Sequence, residues 1–127
     1  MEKVEHFIME FLVETTPKLL FTLISTPEGL SRWFAPTIQT DDKTFVFQWS
    51  GNEQKVQLVQ FKDNEYVIFQ WLEDYHKGLN LEMRIETEPN TNGVTLVIND
   101  FAELGDVDFS KRLWETLVRK LQKIFNG

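Results

Sequence analysis

Hydrophobic and polar residues change their spacing along the chain, and each spacing predicts a different element. From residue 3 to 13 they alternate, with Phe7, Met9, Phe11 and Val13 on one face and Val4, Ile8 and Leu12 on the other. This predicts a strand covered on both faces along its whole length. The alternation ends at Thr16-Pro17, which precedes KLLFTLIS, and the same pair recurs as Thr26-Pro27 within STPEGLSRWFAP. A hydroxyl side chain caps free backbone N–H groups, and proline suits the first helical position because it has no N–H to lose, so two short helices are predicted. Ser25 or Thr26 supplies the second cap, Ser25 with Glu28 fits a capping box, and Pro36 forbids continuation. Leu30, Trp33 and Phe34 fall at i, i+3 and i+4, one helix face that must be buried against something.

From Thr37 to Glu103 the period becomes two. KTFVFQW places Phe45, Phe47 and Trp49 on one face, SGN turns the chain, and KVQLVQF slips its alternation near Val59 as a bulge would make it slip. After KDNE, YVIFQWL puts Val67, Phe69 and Trp71 on one side. LNLEMRIE sets Leu79, Leu81, Met83 and Ile85 against polar neighbours, PNTNG turns at Asn92-Gly93, and VTLVINDF closes the series with Leu96 and Ile98. Short turns between strands of this length predict an antiparallel meander.

The last element, 108–125, repeats apolar residues at three and four: Phe109, Leu113, Trp114, Leu117, Val118, Leu121, Ile124 and Phe125. This is an amphipathic helix of about 25 Å, capped by Asp108 or Asp106 and long enough to cross a curved sheet. No repeat or linker divides the chain, so residues 1–127 are expected to form a single domain.

Charge and composition narrow the function classes. Thirteen basic against twenty acidic residues give a net charge of −7, which opposes the phosphate attraction that nucleic-acid binders need. The basic residues near the end sit where cations suit a helix C-terminus and read as a solvated face. The chain has no cysteine, which excludes disulfides and thiolate metal sites. The opening MEKVEHFIMEFLV is broken by Glu10 and does not read as a signal peptide, and no later segment approaches a membrane span, so a cytoplasmic location is expected.

Candidate chemistry is sparse. His6 and His76 read as surface residues, too far apart for a metal pair and without a third ligand, so no metal or other cofactor is expected. Glu73, Asp74 and Tyr75 read as the solvated end of a hairpin. Asn99 and Asp100 form a polar pair inside an apolar strand, so one of them must face the helix, where a buried polar group needs a partner. Asp100 either caps a neighbouring turn or supplies the single polar contact of a ligand site. No serine elbow or glycine-rich phosphate loop appears, and no catalytic residue is assigned.

The order strand, two short helices, long meander and C-terminal helix resembles the helix-grip fold of the START-like superfamily, also called SRPBCC or Bet v 1-like. Within it, TPEGLSRWFAP at 26–36, VIFQW at 67–71 and RLWETLVRKLQKIF at 112–125 resemble segments of the family related to the activator of the ninety-kilodalton heat-shock protein's ATPase. The resemblance implies an α+β fold, a curved antiparallel sheet wrapped around the long helix, with a cavity between them that the two short helices partly close. Trp33, Phe34, Phe47, Trp49, Phe69, Trp71, Met83, Ile98, Trp114 and Leu117 would line that cavity. It would hold a small hydrophobic molecule, lipid-like or isoprenoid-like, without catalysis. The alternatives are a protein-interaction module resembling the activator's C-terminal domain, with a protein partner or a second copy paired at an open strand edge, or a cyclase- or hydrolase-like enzyme. The enzyme reading lacks support because the interior stripes carry no evident acid–base set.

Overall fold

The computed structural model describes residues 3–49, 51–73 and 76–126. Ser50 of the SGN turn, and Asp74 and Tyr75 of the predicted hairpin end, lie outside them. Strand β1 (Val4–Val13) leads into helices α1 (Pro17–Ser25) and α2 (Pro27–Ser31). Six strands follow: β2 (Thr37–Gln39), β3 (Thr44–Trp49), β4 (Asn52–Lys62), β5 (Tyr66–Trp71), β6 (Asn80–Thr87) and β7 (Val94–Glu103). Helix α3 (Val107–Phe125) ends the chain. The strands form one antiparallel sheet in the order β1-β7-β6-β5-β4-β3-β2, so the meander runs consecutively and the first strand joins its last member.

Local chemistry sets the elements. Thr16 Oγ1 accepts from the Leu19 N–H at 3.3 Å, and Thr26 Oγ1 accepts from the Gly29 N–H at 3.0 Å. Thr26 is therefore the second cap. The expected Ser25–Glu28 capping box does not form, because Ser25 still belongs to α1 and its Oγ donates to the Phe21 carbonyl at 2.6 Å. Gly29 lies against α1 so closely that a Cβ would collide with the Thr22 carbonyl oxygen and the Leu23 Cα, which fixes how tightly the two helices meet. The bulge in β4 falls between Leu58 and Gln60, leaving Val59 outside the pairing with β5. The β6–β7 turn carries Asn92 at φ 57°, a left-handed conformation that asparagine tolerates.

Phe45, Phe47, Phe69, Leu81, Met83, Leu96 and Ile98 are buried on the concave face of the sheet, and Trp114, Leu117, Val118 and Leu121 of α3 pack into the same core. Two expectations about covered faces need correction. Ile8 and Leu12, on the outer face of β1, are 54% and 71% exposed, because α3 covers the concave side and no element among the described residues lies over the other. Phe109 and Leu113 of α3 are 63% and 44% exposed, since they lie on the flank of the helix, turned away from the stripe of Val107, Trp114, Val118 and Leu121 that packs into the core. Asp106 stands at the α3 N-cap position but makes no side-chain capping bond. At the other end, Gln122 Nε2 donates to the Leu12 carbonyl at 2.8 Å and ties the helix to β1.

Candidate functional site

The opening question of the sequence, where Leu30, Trp33 and Phe34 go, is answered by burial. Their exposures are 0%, 2% and 4%, and the Trp33 indole N–H donates to the Leu23 carbonyl at 2.8 Å. Phe34 stacks on Trp114 with centroids 5.3 Å apart, and meets Phe47 and Trp49 edge-on at 4.9 and 5.0 Å. This aromatic layer plugs the core.

The layer ends at Trp114. A pocket of about 270 Å³ opens there, with Trp71, His76, Asp100 and Trp114 among its walls and Phe109 and Leu113 at α3. Sheet alternation delivers Asp100 inward while Asn99 faces out, where its Oδ1 lies 3.2 Å from His6 Nε2. His76 arrives by a tight reversal after β5. Gly78, at φ 85°, donates its N–H to the Trp71 carbonyl at 2.8 Å, and the Leu79 N–H donates to the His76 carbonyl at 2.8 Å. The imidazole consequently stacks on Trp71 with centroids 4.1 Å apart and planes 8° from parallel. Its Nδ1 lies 2.9 Å from the Glu73 carbonyl, which can only accept, so Nδ1 carries a proton. The expectation of a surface His76 is thus corrected: the residue is 4% exposed, because the turn folds it back onto the tryptophan.

Asp100 is 8% exposed and is the buried carboxyl of the site. Its Oδ2 accepts from the Trp114 indole N–H at 3.0 Å, while its Oδ1 has no hydrogen-bond partner. The Trp71 Nε1 is also buried and unpartnered. Burial pushes the Asp100 carboxyl up to about 6. The Phe101 backbone N–H, the two indole N–H groups and the His6 charge draw it down only in part. The Phe101 and Trp71 donors lie close enough for that influence, yet neither makes a well-formed bond to Oδ1. Of the polar pair Asn99 and Asp100, one member of which was expected to face the helix, Asp100 is the inward one.

Of the ten cavity residues expected from the sequence, Trp71 and Trp114 line this pocket. Trp33 and Phe34 border a separate recess of about 120 Å³ beside Lys120. Phe47, Phe69, Met83 and Ile98 are fully buried, Leu117 nearly so, and Trp49 packs half-buried against Phe34. Larger depressions of about 370 and 470 Å³ open on the outer sheet face beside His6 and between the β1–α1 and β6–β7 turns. The second holds an unpartnered Thr15 hydroxyl, and Trp49 Nε1 is unpartnered within the aromatic layer. Only at Asp100, among the described residues, is an unpartnered carboxylate oxygen buried at a pocket wall, and a carboxylate is the costliest of these groups to leave unpaired. His76, Phe109 and Leu113 were not legible as site residues, since a histidine in a turn and apolar residues at helical spacing read as surface and core.

Comparison with known proteins agrees with this architecture. A family model for the START-like superfamily domain matches residues 1–127. The chain belongs to the START-like superfamily. Among solved structures, a Bacteroides fragilis protein determined by solution NMR shares 31% identity, with 98% of this START-like chain and 92% of that one covered, at a TM-score of 0.65. The solution structure of the Aha1 dimer from Colwellia psychrerythraea superposes at a TM-score of 0.76 with 15% identity, over 93% of each chain. XoxI from Bacillus cereus does so at 0.80 with 13% identity, over 96% of each. The last two likenesses concern the fold alone. No curated protein matches the chain. No helix among the described residues of this START-like domain is long and apolar enough to cross a membrane.

Proposed function

We propose that this START-like domain binds a small, largely apolar molecule, without catalysis, in the pocket beside Trp114 rather than in a large cavity under the helix. The observation that carries the reading is an open pocket walled by the indoles of Trp71 and Trp114 beside the buried Asp100 carboxyl. Phe109 and Leu113, exposed at the same opening, provide apolar surface that a ligand would cover. At about 270 Å³ the pocket falls just under the usual range for drug-sized ligands, which favours a compact molecule over a long acyl chain.

Native mass spectrometry of the protein purified from its own source, followed by denaturing release, tests this reading. A stoichiometric small molecule, displaced when the Trp71→Ala and Leu113→Asp variants are purified the same way, is the expected result. Repeatedly empty protein that also fails to bind any member of a compact apolar library would overturn it.

A second reading, a protein-interaction surface or homodimer, has its own observation. The outer face of β1 presents Ile8 and Leu12 to solvent at the sheet edge. Sedimentation over a range of concentrations tests the homodimer, and a protein that remains monomeric throughout removes it.

A further inference from the structure

The two edges of the sheet are built differently, which points to a partner for one of them, an inference that rests on the homodimer reading above. At one edge stands β2, three residues long and too short to template another chain. At the other stands β1, ten residues with no proline, lysine or bulge among them. Apart from the charges of Glu5 and Glu10, the devices that blunt an edge against association are missing from it. The Lys3 carbonyl accepts from the Leu104 N–H at 3.0 Å, so the odd-numbered residues of β1 bond to β7 and the even-numbered ones turn their N–H and C=O outward. The Leu12 carbonyl obeys that alternation by accepting from Gln122. From Val4 to Glu10 the outward groups have no hydrogen-bond partner among the described residues.

Strand alternation puts the same even positions on the outer face, where Val4, His6, Ile8, Glu10 and Leu12 alternate apolar and polar. The pattern is symmetric about Ile8. When a second copy lies antiparallel along this edge with Ile8 opposite the partner's Ile8, Val4 falls opposite the partner's Leu12. His6 then falls opposite the partner's Glu10, a basic side chain against an acidic one. Sliding the partner by two residues sets Ile8 against the partner's His6 or the partner's Glu10. Sliding it by four opposes His6 to the partner's His6, or Glu10 to the partner's Glu10. An odd slide turns every side chain to the wrong face. On the concave side the symmetric register sets Phe7 opposite the partner's Met9, with Glu5 opposite the partner's Phe11 as its one mismatch.

We infer that two copies of this chain join their sheets across β1, antiparallel, with Ile8 on the two-fold axis. An extended segment of another protein could use the same edge but would not depend on the symmetry about Ile8.

The chain has no cysteine, so single-cysteine variants of the full chain report the register. Residues that exchange both backbone bonds have Cα atoms about 5.5 Å apart, within disulfide reach. Sedimentation first establishes the dimer, and mild oxidation then locates its axis. The expected result is that Ile8→Cys, a change at an exposed position, cross-links to itself in high yield. Leu12→Cys is more exposed but stands about 27 Å from its own copy in this register, so it should not, whereas a mixture of Val4→Cys and Leu12→Cys should cross-link as a heterodimer. His6→Glu should weaken association about tenfold, and adding Glu10→His should restore most of the loss. Both of these variants lose the His6 contact with Asn99, so comparing them isolates the partner. If the protein dimerises but Leu12→Cys cross-links to itself as readily as Ile8→Cys, the symmetric register is overturned while the homodimer reading stands. If Glu10→His restores nothing, His6 and Glu10 do not face each other and the inference again fails. If the chain sediments as a monomer at every concentration, the homodimer reading and this inference fall together.

Discussion

On one side of Trp114, Phe34 stacks against the ring at 5.3 Å and is met edge-on by Phe47 and Trp49. The same indole donates its N–H to a carboxyl beside an open pocket. The first region is a packing solution, in which the Trp33 N–H meets a backbone carbonyl while the Trp49 N–H is left without a partner. The second leaves, besides an indole N–H, a buried carboxylate oxygen without a partner, which is the costlier group and one that packing alone does not favour. Sites where local stability is sacrificed in this way are where function is expected to lie.

Removing the plug should have the largest effect. Trp33→Ala deletes a buried indole and orphans the Leu23 carbonyl, so a loss of about 3–5 kcal/mol is expected. Urea unfolding measures it. A loss below about 1 kcal/mol would show that the aromatic layer can collapse around the gap and is no plug.

Asp100→Asn should act in the opposite direction at neutral pH. The carboxyl ionises at 3.8 when unfolded but at about 6 in the folded protein, so between those values the native state holds a proton that the unfolded chain has lost. The contribution of Asp100 to stability is thus fully present below pH 3.8 and is lost as pH rises through about 6. The difference corresponds to roughly 3 kcal/mol of buried-charge cost at pH 7.5. An uncharged amide avoids it, so the variant should be more stable there by up to about that amount and no more stable at pH 4. The other titratable groups at this site are His76, Glu103 and Asp106, with His6 acting across the sheet, and all four remain in the variant. Chemical denaturation at the two pH values reads the sign. An Asn variant that is less stable at pH 7.5 would mean that the carboxylate is well solvated or paired in solution, and the contrast between the two regions would disappear.

Trp114→Phe sharpens the comparison because it touches both regions unequally. The ring stack with Phe34 survives in large part, while Asp100 loses the hydrogen bond to its Oδ2. A cost of about 1–3 kcal/mol is expected at pH 7.5, smaller at pH 5 where the carboxyl is largely protonated and needs the donor less. Equal costs at both pH values would assign the whole loss to packing.

How these regions read from sequence follows from the range of the forces involved. The plug was legible because its signals are local: Thr-Pro starts, a Pro36 stop and three apolar residues on one short helix face. The meander, the β4 bulge and the inward turn of one of Asn99 and Asp100 were legible because a period of two fixes sidedness. The burial of His76 was not, since it depends on a Gly78 reversal that brings the ring back onto Trp71. The exposure of Phe109 and Leu113 was not either, because the apolar residues of α3 form a broad stripe and spacing alone does not show how much of its width the sheet covers. Nor could the alternation of β1 reveal that one of its two apolar faces is left open.

That open face supplies the smallest expected effect. Leu12 is 71% exposed, and the bond it contributes to the fold is made by its backbone carbonyl, which accepts from Gln122 Nε2 and survives any side-chain change. Threonine suits an exposed strand position, so Leu12→Thr should change stability by no more than about 0.5 kcal/mol. The same variant is informative about association. If the wild-type protein sediments as a dimer and Leu12→Thr as a monomer of unchanged unfolding midpoint, the outer face of β1 is an interface between copies. A destabilised monomer would instead mean that Leu12 is covered within one chain, and the concave side would no longer be the sole core of the fold.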